Sequence, residues 1–483
     1  MKAFITTYKG METISELEIS ELIKSKGKIE EYLVKFDIKK YEELAKLTYL
    51  SQSIKKSVLL LSEFEVDEKL DKTFNNFKKN LNFDIKDWKF DSFKIHSERL
   101  GQHEFNSVDI AQSLTKEIIK IYNDKKIEII PDYNNPKLIF YVFVNNSKGY
   151  FGIDFSGFEL SKRQYKIFTH PESLKGITGY YLVRHSGYKK KDIMIDPFMG
   201  SGIVPIEAAL YYSKYPVHYY DKDKLAFTKY HFFKDKFFEQ FDKKFDDSKS
   251  KIYGYDAQLR YLKATQKNFK LSGVNSTTTL SKIDVEWLDT KFEKKSVDLI
   301  ITDPPRTGKH RDIIRLKKVY NELFYQAAFV LKKTGKMILL AKSKDLLLEY
   351  AKTHKFKLDK EIILQESDLN IGKNEVTFVI DDGTYLLTPI MVKNKLNEEI
   401  YPSYTFNIDE DVYDAADNYF FSLQMGRGNK KAKLLLNNNN IELDTEGSYF
   451  QKDITNYIER GNNFLEIVPE EDFNVNSIKV WYE

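Results

Sequence analysis

Apolar residues come in short runs whose period changes along the chain. Ile193-Met-Ile195, Ile252-Tyr-Gly-Tyr-Asp256 and Leu299-Ile-Ile301 are compact apolar runs of strand length. Each leads into an acidic residue, as expected for strands buried inside a parallel sheet. Between and after them lie stretches with helical spacing: the Ala-rich run after Gly202, Leu259 to Leu271, and Val319 to Leu331, with Lys336-Met-Ile-Leu-Leu340 as the next strand. Alternating strand and helix predicts an α/β fold, a largely parallel Rossmann-like sheet with helices on both faces.

The pattern differs on either side of this middle region. From Phe4 to about Asp154, Ile14, Leu17, Ile19, Leu22 and Ile23 suit one face of a helix, whereas Val58 to Leu61 and Leu138 to Val144 suit buried strands. This predicts a mixed α/β region of two small units. From about Thr384, apolar and polar residues alternate between turn formers such as Asn437 to Asn440 and Arg460 to Asn463. Lys433 to Leu436, Phe464 to Ile467 and Ile478 to Trp481 are strand candidates of a small antiparallel β-sandwich. Between Leu225 and Phe241, Lys and aromatic residues interleave. Such a stretch can neutralise and stack on single-stranded nucleic acid, but an amphipathic helix burying its Phe stripe is the stronger expectation.

Composition narrows the field. A chain of 483 residues suggests two to four domains. Lys+Arg 76 against Asp+Glu 72 leaves a net charge of only +4, so any nucleic-acid face must be local. Cysteine is absent, which removes disulfides, thiolate metal sites and thiol nucleophiles. No run is long enough to span a membrane and the N-terminus lacks a signal peptide's apolar core, so a soluble cytoplasmic protein is expected. The His and carboxylate spacings imply no metal.

Candidate chemistry collects in the middle region. Asp196-Pro-Phe-Met-Gly-Ser-Gly-Ile-Val-Pro-Ile-Glu-Ala-Ala-Leu210 joins a strand-end acid, a Gly-rich turn and a helix start. Gly200 and Gly202 can adopt backbone angles closed to other residues and let a ligand approach the main chain. Gly-x-Gly alone would also fit an ordinary strand-to-helix turn. Asp256, at the end of the second strand, is placed to accept both hydroxyls of a ribose. Asp284 follows a third short strand. Ser296 to His310 runs through Asp303-Pro304-Pro305-Arg306, where two prolines end a buried strand in a stiff turn.

Asp-Pro-Phe-x-Gly-Ser-Gly-x-x-Pro-Ile-Glu-Ala-Ala resembles the first motif of S-adenosylmethionine-dependent RNA methyltransferases that carry a THUMP RNA-binding domain. Thr6 to Glu12, Arg99 to Ala111 (with His103, Phe105, Ser107 and Asp109) and Gly152 to Gly157 followed by Leu160 to Tyr165 resemble other parts of that family. The resemblance implies that Asp196, Pro197, Phe198, Gly200, Ser201 and Gly202 wrap the methionine part of S-adenosylmethionine, that Asp256 holds its ribose and that Asp284 contacts its adenine. It assigns the N-terminal region to docking a structured RNA. Single residues there have plainer roles open to them: helix capping for His103 and Asp109, solvated charge for Lys94, Arg99 and Lys116.

In the fourth motif of that family, Asp/Asn-Pro-Pro-Tyr/Phe, a side-chain oxygen and a backbone carbonyl accept the hydrogens of an exocyclic base amine while the aromatic ring stacks on the flipped base. Asp303, Pro304 and Pro305 match it, and Arg306 replaces the aromatic residue. Arginine can stack through its guanidinium plane or hold a phosphate. Asp-Pro-Pro-Arg-x-Gly also resembles the fourth motif of RNA 5-methyluridine methyltransferases, whose covalent adduct needs a cysteine that this chain lacks. An exocyclic nitrogen is therefore the expected acceptor, and the resemblance to the THUMP family implies guanine N2 first; a ribose hydroxyl or ring nitrogen stays open.

The expected architecture is a ferredoxin-like/THUMP RNA-binding region over residues 1–160, a Rossmann-like methyltransferase domain over 161–382 and a C-terminal β-sandwich over 383–483. In such methyltransferases Ile362 to Leu364 and Val376 to Ile380 would form the hairpin that closes the sheet. Phe450 to Ile467 resembles the end of galactose-binding-like jelly-roll domains, which speaks to fold and not to function. The expected activity is base methylation of tRNA at guanine N2, with an rRNA base methyltransferase or a non-catalytic RNA-binding protein as alternatives. Oligomeric state is left open.

Overall fold

A computed structural model describes residues 1–169, 173–231, 233, 235–242, 245–306, 313–340 and 344–359, and in the C-terminal part 379–381, 384–387, 403–408, 413, 418–426, 428–437, 439–459, 461–470 and 475–482. The chain divides into two compact units, one of Met1–Arg99 with Phe105–Asp368 and one of Leu369–Glu483 with Leu100–Glu104. No helix among the described residues is long and apolar enough to cross a membrane.

The N-terminal region builds one continuous eight-stranded sheet rather than two separate small units. Its order is Lys28–Glu30, Leu33–Asp37, Lys2–Thr6, Lys56–Glu65, Lys148–Asp154, Leu138–Asn145, Ser92–Leu100 and Ile130–Pro131. The two halves join where Lys56–Glu65 pairs antiparallel with Lys148–Asp154. Gly152 sits in that seam because a Cβ there would lie 1.9 Å from the Leu59 carbonyl oxygen. Helix Glu12–Ile23 buries Ile14 and Ile19 as its spacing predicts, but Leu17 is exposed. The buried face also contains Glu18, whose carboxylate accepts from the Gln52 and Ser53 amides at 2.9 and 3.1 Å and so fixes the loop after helix Tyr41–Leu50.

The aromatic stretch departs from expectation. Instead of one amphipathic helix, the described residues of 225–241 form short turns, Ala226–Lys229 and Asp235–Phe237, followed by helix Glu239–Asp242. Phe227, Tyr230 and Phe237 enter the core of the N-terminal sheet, with Phe233, Phe238 and Phe241 packed around them. Aromatic spacing reports burial but does not name the core that receives the rings.

The second sheet is parallel throughout, in the order Thr279–Lys282, Ile252–Asp256, Met194–Asp196, Val297–Thr302 and Leu331–Leu339. Both faces are covered. Met194, Ile252, Leu299 and Ile301 pack with helix Ile203–Ser213, whereas Ile195, Val297 and Ile300 pack with Leu323, Ala327 and Val330 of helix Ile313–Val330. The chain order reverses on either side of Met194–Asp196, so a crevice is expected at the carboxyl ends of the strands there.

In the C-terminal unit, Ser403–Ile408, Gly461–Pro469, Lys430–Leu436 and Asn439–Thr445 make one antiparallel sheet. The other runs Val379–Asp381, Thr384–Leu387, Val475–Tyr482, Tyr419–Met425 and Tyr449–Asp453. Leu423, Ile478 and Val480 of one sheet and Leu434, Ile441 and Leu465 of the other share an apolar cluster. Val379–Asp381 therefore pairs with Thr384–Leu387 in this unit and does not close the parallel sheet. A Val/Ile run suits any sheet, and its partner is set by register. Ile362 to Leu364 lies outside the described residues.

Candidate active site

Three acidic residues stand at or just beyond the carboxyl ends of three adjacent strands. Asp196 ends the central strand, Asp256 its neighbour on one side, and Asp303 follows Thr302 on the other. The turn after Asp196 is held from both flanks. The Met199 amide donates to the Tyr255 carbonyl at 2.9 Å, and the Gly200 amide donates to Asp256 Oδ2 at 3.2 Å. Thr265 Oγ1 donates to the Gly200 carbonyl at 2.7 Å, and Asn268 Nδ2 donates to the Ser201 carbonyl at 2.9 Å. Ser201 Oγ lies 2.6 Å from Ser173 Oγ.

Gly202 has φ +86°, and a Cβ there would lie 2.5 Å from Thr265 Cγ2. Glycine is thus required by conformation and by the close approach of helix Leu259–Ser272. Met199 is buried, with its sulfur against Gly254, where an added Cβ would come within 2.9 Å. Pro197 is buried, and Phe198 is half-buried against the cluster around Ile195.

Asp196 is 2 % exposed, and burial pushes its pKa up to about 7. Hydrogen bonds to Oδ1 from Thr302 Oγ1 at 2.5 Å and the Phe198 amide at 3.2 Å oppose that rise. Asp256 is half-buried and its pKa is also raised, by burial first, against amide donors from Gln258 at 2.8 Å and from Gly200. Asp284 is exposed at the start of the Val285–Thr290 turn, close enough to Asp256 to add to that rise.

At the fourth motif the side chains take an arrangement that the sequence did not foretell. Arg306 folds back on Asp303, with Nε 3.2 Å from Oδ1 and Nη2 2.5 Å from Oδ2. Arg306 is buried. Its guanidinium therefore meets the carboxylate in a two-pronged contact and does not stand free as a stacking plane. Pro304 is buried, and the Pro305 carbonyl accepts from Tyr320 Oη at 2.5 Å, which pins the turn to helix Ile313–Val330. Thr307 to His310 lies outside the described residues.

The sequence did not point to Thr302, Thr265, Asn268 or Tyr320. Thr265 and Asn268 stand three apart on one helix face, the spacing at which two side chains reach the same turn. A further network lies beneath the turn. The Glu207 carboxylate meets Arg163 Nε at 2.7 Å, Tyr165 Oη at 2.6 Å and Gln52 Nε2 at 2.6 Å, with the Arg163 and Glu207 side chains at 0 % exposure.

In the region resembling THUMP, Asn106 caps helix Ser107–Asp124 by accepting from the Val108 and Asp109 amides at 2.7 and 3.1 Å. Asp109 accepts from the Asn106 amide at 2.7 Å, so it has the capping role and Ser107 does not. Beside this helix a cavity of about 290 Å³ is lined by Lys94, His96, Gln112, Thr115 and Tyr133 among others.

The donor set fits S-adenosylmethionine. Asp256 is a carboxylate oriented by two backbone amides at the ribose position of a switch-point crevice, and Gly200 and Gly202 leave the adjoining turn without side-chain bulk.

Residues 163–369 match the RMKL-like methyltransferase domain family. The tRNA (guanine(6)-N2)-methyltransferase of Methanocaldococcus jannaschii is 29% identical over 378 residues, 75% of this chain and 96% of the relative. The enzyme of the same name from Archaeoglobus fulgidus is 25% identical, covering 61% of this chain and 71% of its own. Ribosomal RNA large subunit methyltransferase K/L of Buchnera aphidicola is 27% identical over 38% of this chain and 27% of that one. In fold, the chain resembles SMU.472, solved with SAH, at TM-score 0.64 and 20% identity, with 76% of this chain and 95% of that chain covered. It resembles TrmN from Thermus thermophilus at TM-score 0.53 and 18% identity, with 80% and 95% covered. Residues 163–369 thus resemble RMKL-like methyltransferase domains, and the chain is an S-adenosylmethionine-dependent methyltransferase.

Proposed function

We propose that this enzyme methylates guanine N2 in tRNA, with Asp303 as the residue that receives the amine. The observation that carries this reading is a carboxylate at the switch point, directly beyond Thr302, facing donors of guanidinium type. The names of the two archaeal relatives support the base and the RNA. Likeness to the K/L enzyme supports rRNA as the second reading.

S-adenosylmethionine supplies a methyl group on a positively charged sulfur. Asp256 would hold the ribose hydroxyls, Asp284 the adenine, and the turn from Asp196 through Pro197, Phe198, Gly200, Ser201 and Gly202 the methionine end. Asp303 and the Pro304 carbonyl would accept the two N2 hydrogens and so aim the nitrogen lone pair. Asp303 would take the proton that N2 gives up on receiving the methyl group. Alignment by fixed acceptors is the main contribution of the chain's own residues.

The N-terminal sheet is read as the THUMP-bearing RNA-docking region, supported by the capped helix Ser107–Asp124 and the cavity beside it, which Lys94, Gln112 and Tyr133 help to line. The C-terminal unit is read as a β-sandwich of galactose-binding-like type, supported by two antiparallel sheets sharing one apolar cluster. A soluble cytoplasmic enzyme fits this substrate.

The test is incubation with methyl-labelled cofactor and unmodified tRNA, followed by nucleoside mass spectrometry. N2-methylguanosine in tRNA is the expected product. A different methylated nucleoside, or label confined to rRNA, would overturn the assignment.

A further inference from the structure

Guanine carries a guanidine fragment in its ring: N1–H and the N2 amine are joined through C2 and point two N–H bonds the same way. The arginine side chain presents the same fork, and a carboxylate receives it with two near-parallel hydrogen bonds. In this structure that fork is already on Asp303, through Nε and Nη2 of Arg306. Adenine and cytosine cannot copy it, because each sets a ring-nitrogen lone pair beside its amine, and that lone pair would face a carboxylate oxygen. Uracil offers a single N–H between two carbonyls.

We infer that Arg306 is an internal stand-in for the guanine edge, occupying Asp303 until a docked guanine displaces it. Asp303 then selects guanine because that base alone among the four offers two adjacent donors. The inference rests on the guanine reading given above. It adds that a neutral base must displace a charged side chain, an exchange that RNA bound elsewhere on the protein makes feasible and a free nucleoside does not. Once released, the guanidinium is free to take an RNA phosphate. The position at which an aromatic residue would stack thus becomes one that keeps the acceptor closed to loose ligands.

Binding without turnover tests this. Saturation-transfer NMR is recorded with methylguanidine, guanosine or adenosine on protein saturated with S-adenosylhomocysteine, which keeps nucleosides out of the cofactor crevice. Arg306→Ala is expected to bind methylguanidine and guanosine on the order of tenfold better than wild type does, the discrimination typical of one bidentate pair. Adenosine should gain nothing, and the Asp303→Asn/Arg306→Ala double variant should lose the gain. Equal methylguanidine binding by wild type, Arg306→Ala and the double variant, or an equal gain for adenosine, would overturn the inference. Arg306→Gln, which keeps a polar side chain of moderate length, serves if the alanine variant does not fold. None of these readouts needs methyl transfer, so wild type forming no N2-methylguanosine would count against the tRNA reading and not against this one.

Discussion

Asp196 is an acid whose charge state the fold controls. Its folded pKa of about 7 lies above the 3.8 of a free side chain, with burial as the leading cause. The protonated form therefore favours folding below pH ~4, and that contribution is lost as pH rises through about 7. A cationic ligand against this carboxyl reverses the preference by favouring the charged form. Affinity for S-adenosylmethionine is expected to fall as pH drops from about 7 toward 5, up to tenfold per pH unit, with proton release on binding in that window. Calorimetry in buffers of different ionisation enthalpy checks it. If Asp196→Asn shows the same pH slope as wild type, the dependence belongs to another group. Asp256→Ala should weaken cofactor binding at every pH, by roughly 1.5–3 kcal/mol for hydrogen bonds to a charged acceptor. Asp303→Ala should abolish transfer and leave cofactor affinity within error of wild type, a pattern that equilibrium dialysis and single-turnover assays separate.

At the scale of elements, the strand-to-helix turn depends on what crosses it. Helix Leu259–Ser272 supplies Thr265 to the Gly200 carbonyl and leaves no room for a side chain at Gly202. Gly202→Ala is expected to cost about 1–2 kcal/mol from its left-handed backbone alone and more from the contact with Thr265. Adding Thr265→Ser, which keeps the hydroxyl and removes the clashing methyl, should recover only the contact part. Urea midpoints of the two variants measure this, and full recovery would mean that backbone strain is negligible. The elements themselves were legible because buried parallel strands are written as apolar runs ending in acids, as at Ile195-Asp196 and Tyr255-Asp256. What the sequence withheld was partnership. Val379–Asp381 reads as sheet but its partner is Thr384–Leu387, and the Phe residues of 225–241 read as buried but enter the core of the N-terminal sheet, far from them in sequence. The Asp303–Arg306 contact was hidden for another reason. Two residues three apart at a Pro-Pro turn have no fixed spacing rule, so their meeting depends on turn geometry.

Across the whole N-terminal and catalytic unit, one buried cluster ties the parts together. Glu18 holds the loop carrying Gln52, the Gln52 side-chain amide donates to both the carboxylate and the backbone carbonyl of Glu207, and Arg163 and Tyr165 close the set. Glu207 lies in the helix that follows Gly202, so the N-terminal sheet and the turn after Asp196 share a buried charged joint. Glu207→Leu leaves Arg163 buried without its counter-charge, held only by the Leu160 and Gln52 carbonyls, and is expected to destabilise the protein by about 3–5 kcal/mol. Adding Arg163→Met should restore much of that, and a double variant no more stable than the single one would show that Arg163 has another route to compensation. Tm and denaturant midpoints report both. The same joint bears on how such a chain can have diversified. An unrelated N-terminal sheet could not be exchanged for this one as a ready-made cassette, because the graft would bring neither Gln52 nor its loop and would take a donor from the Glu207 carboxylate. New specificities would have to arise by altering loops on two regions inherited together.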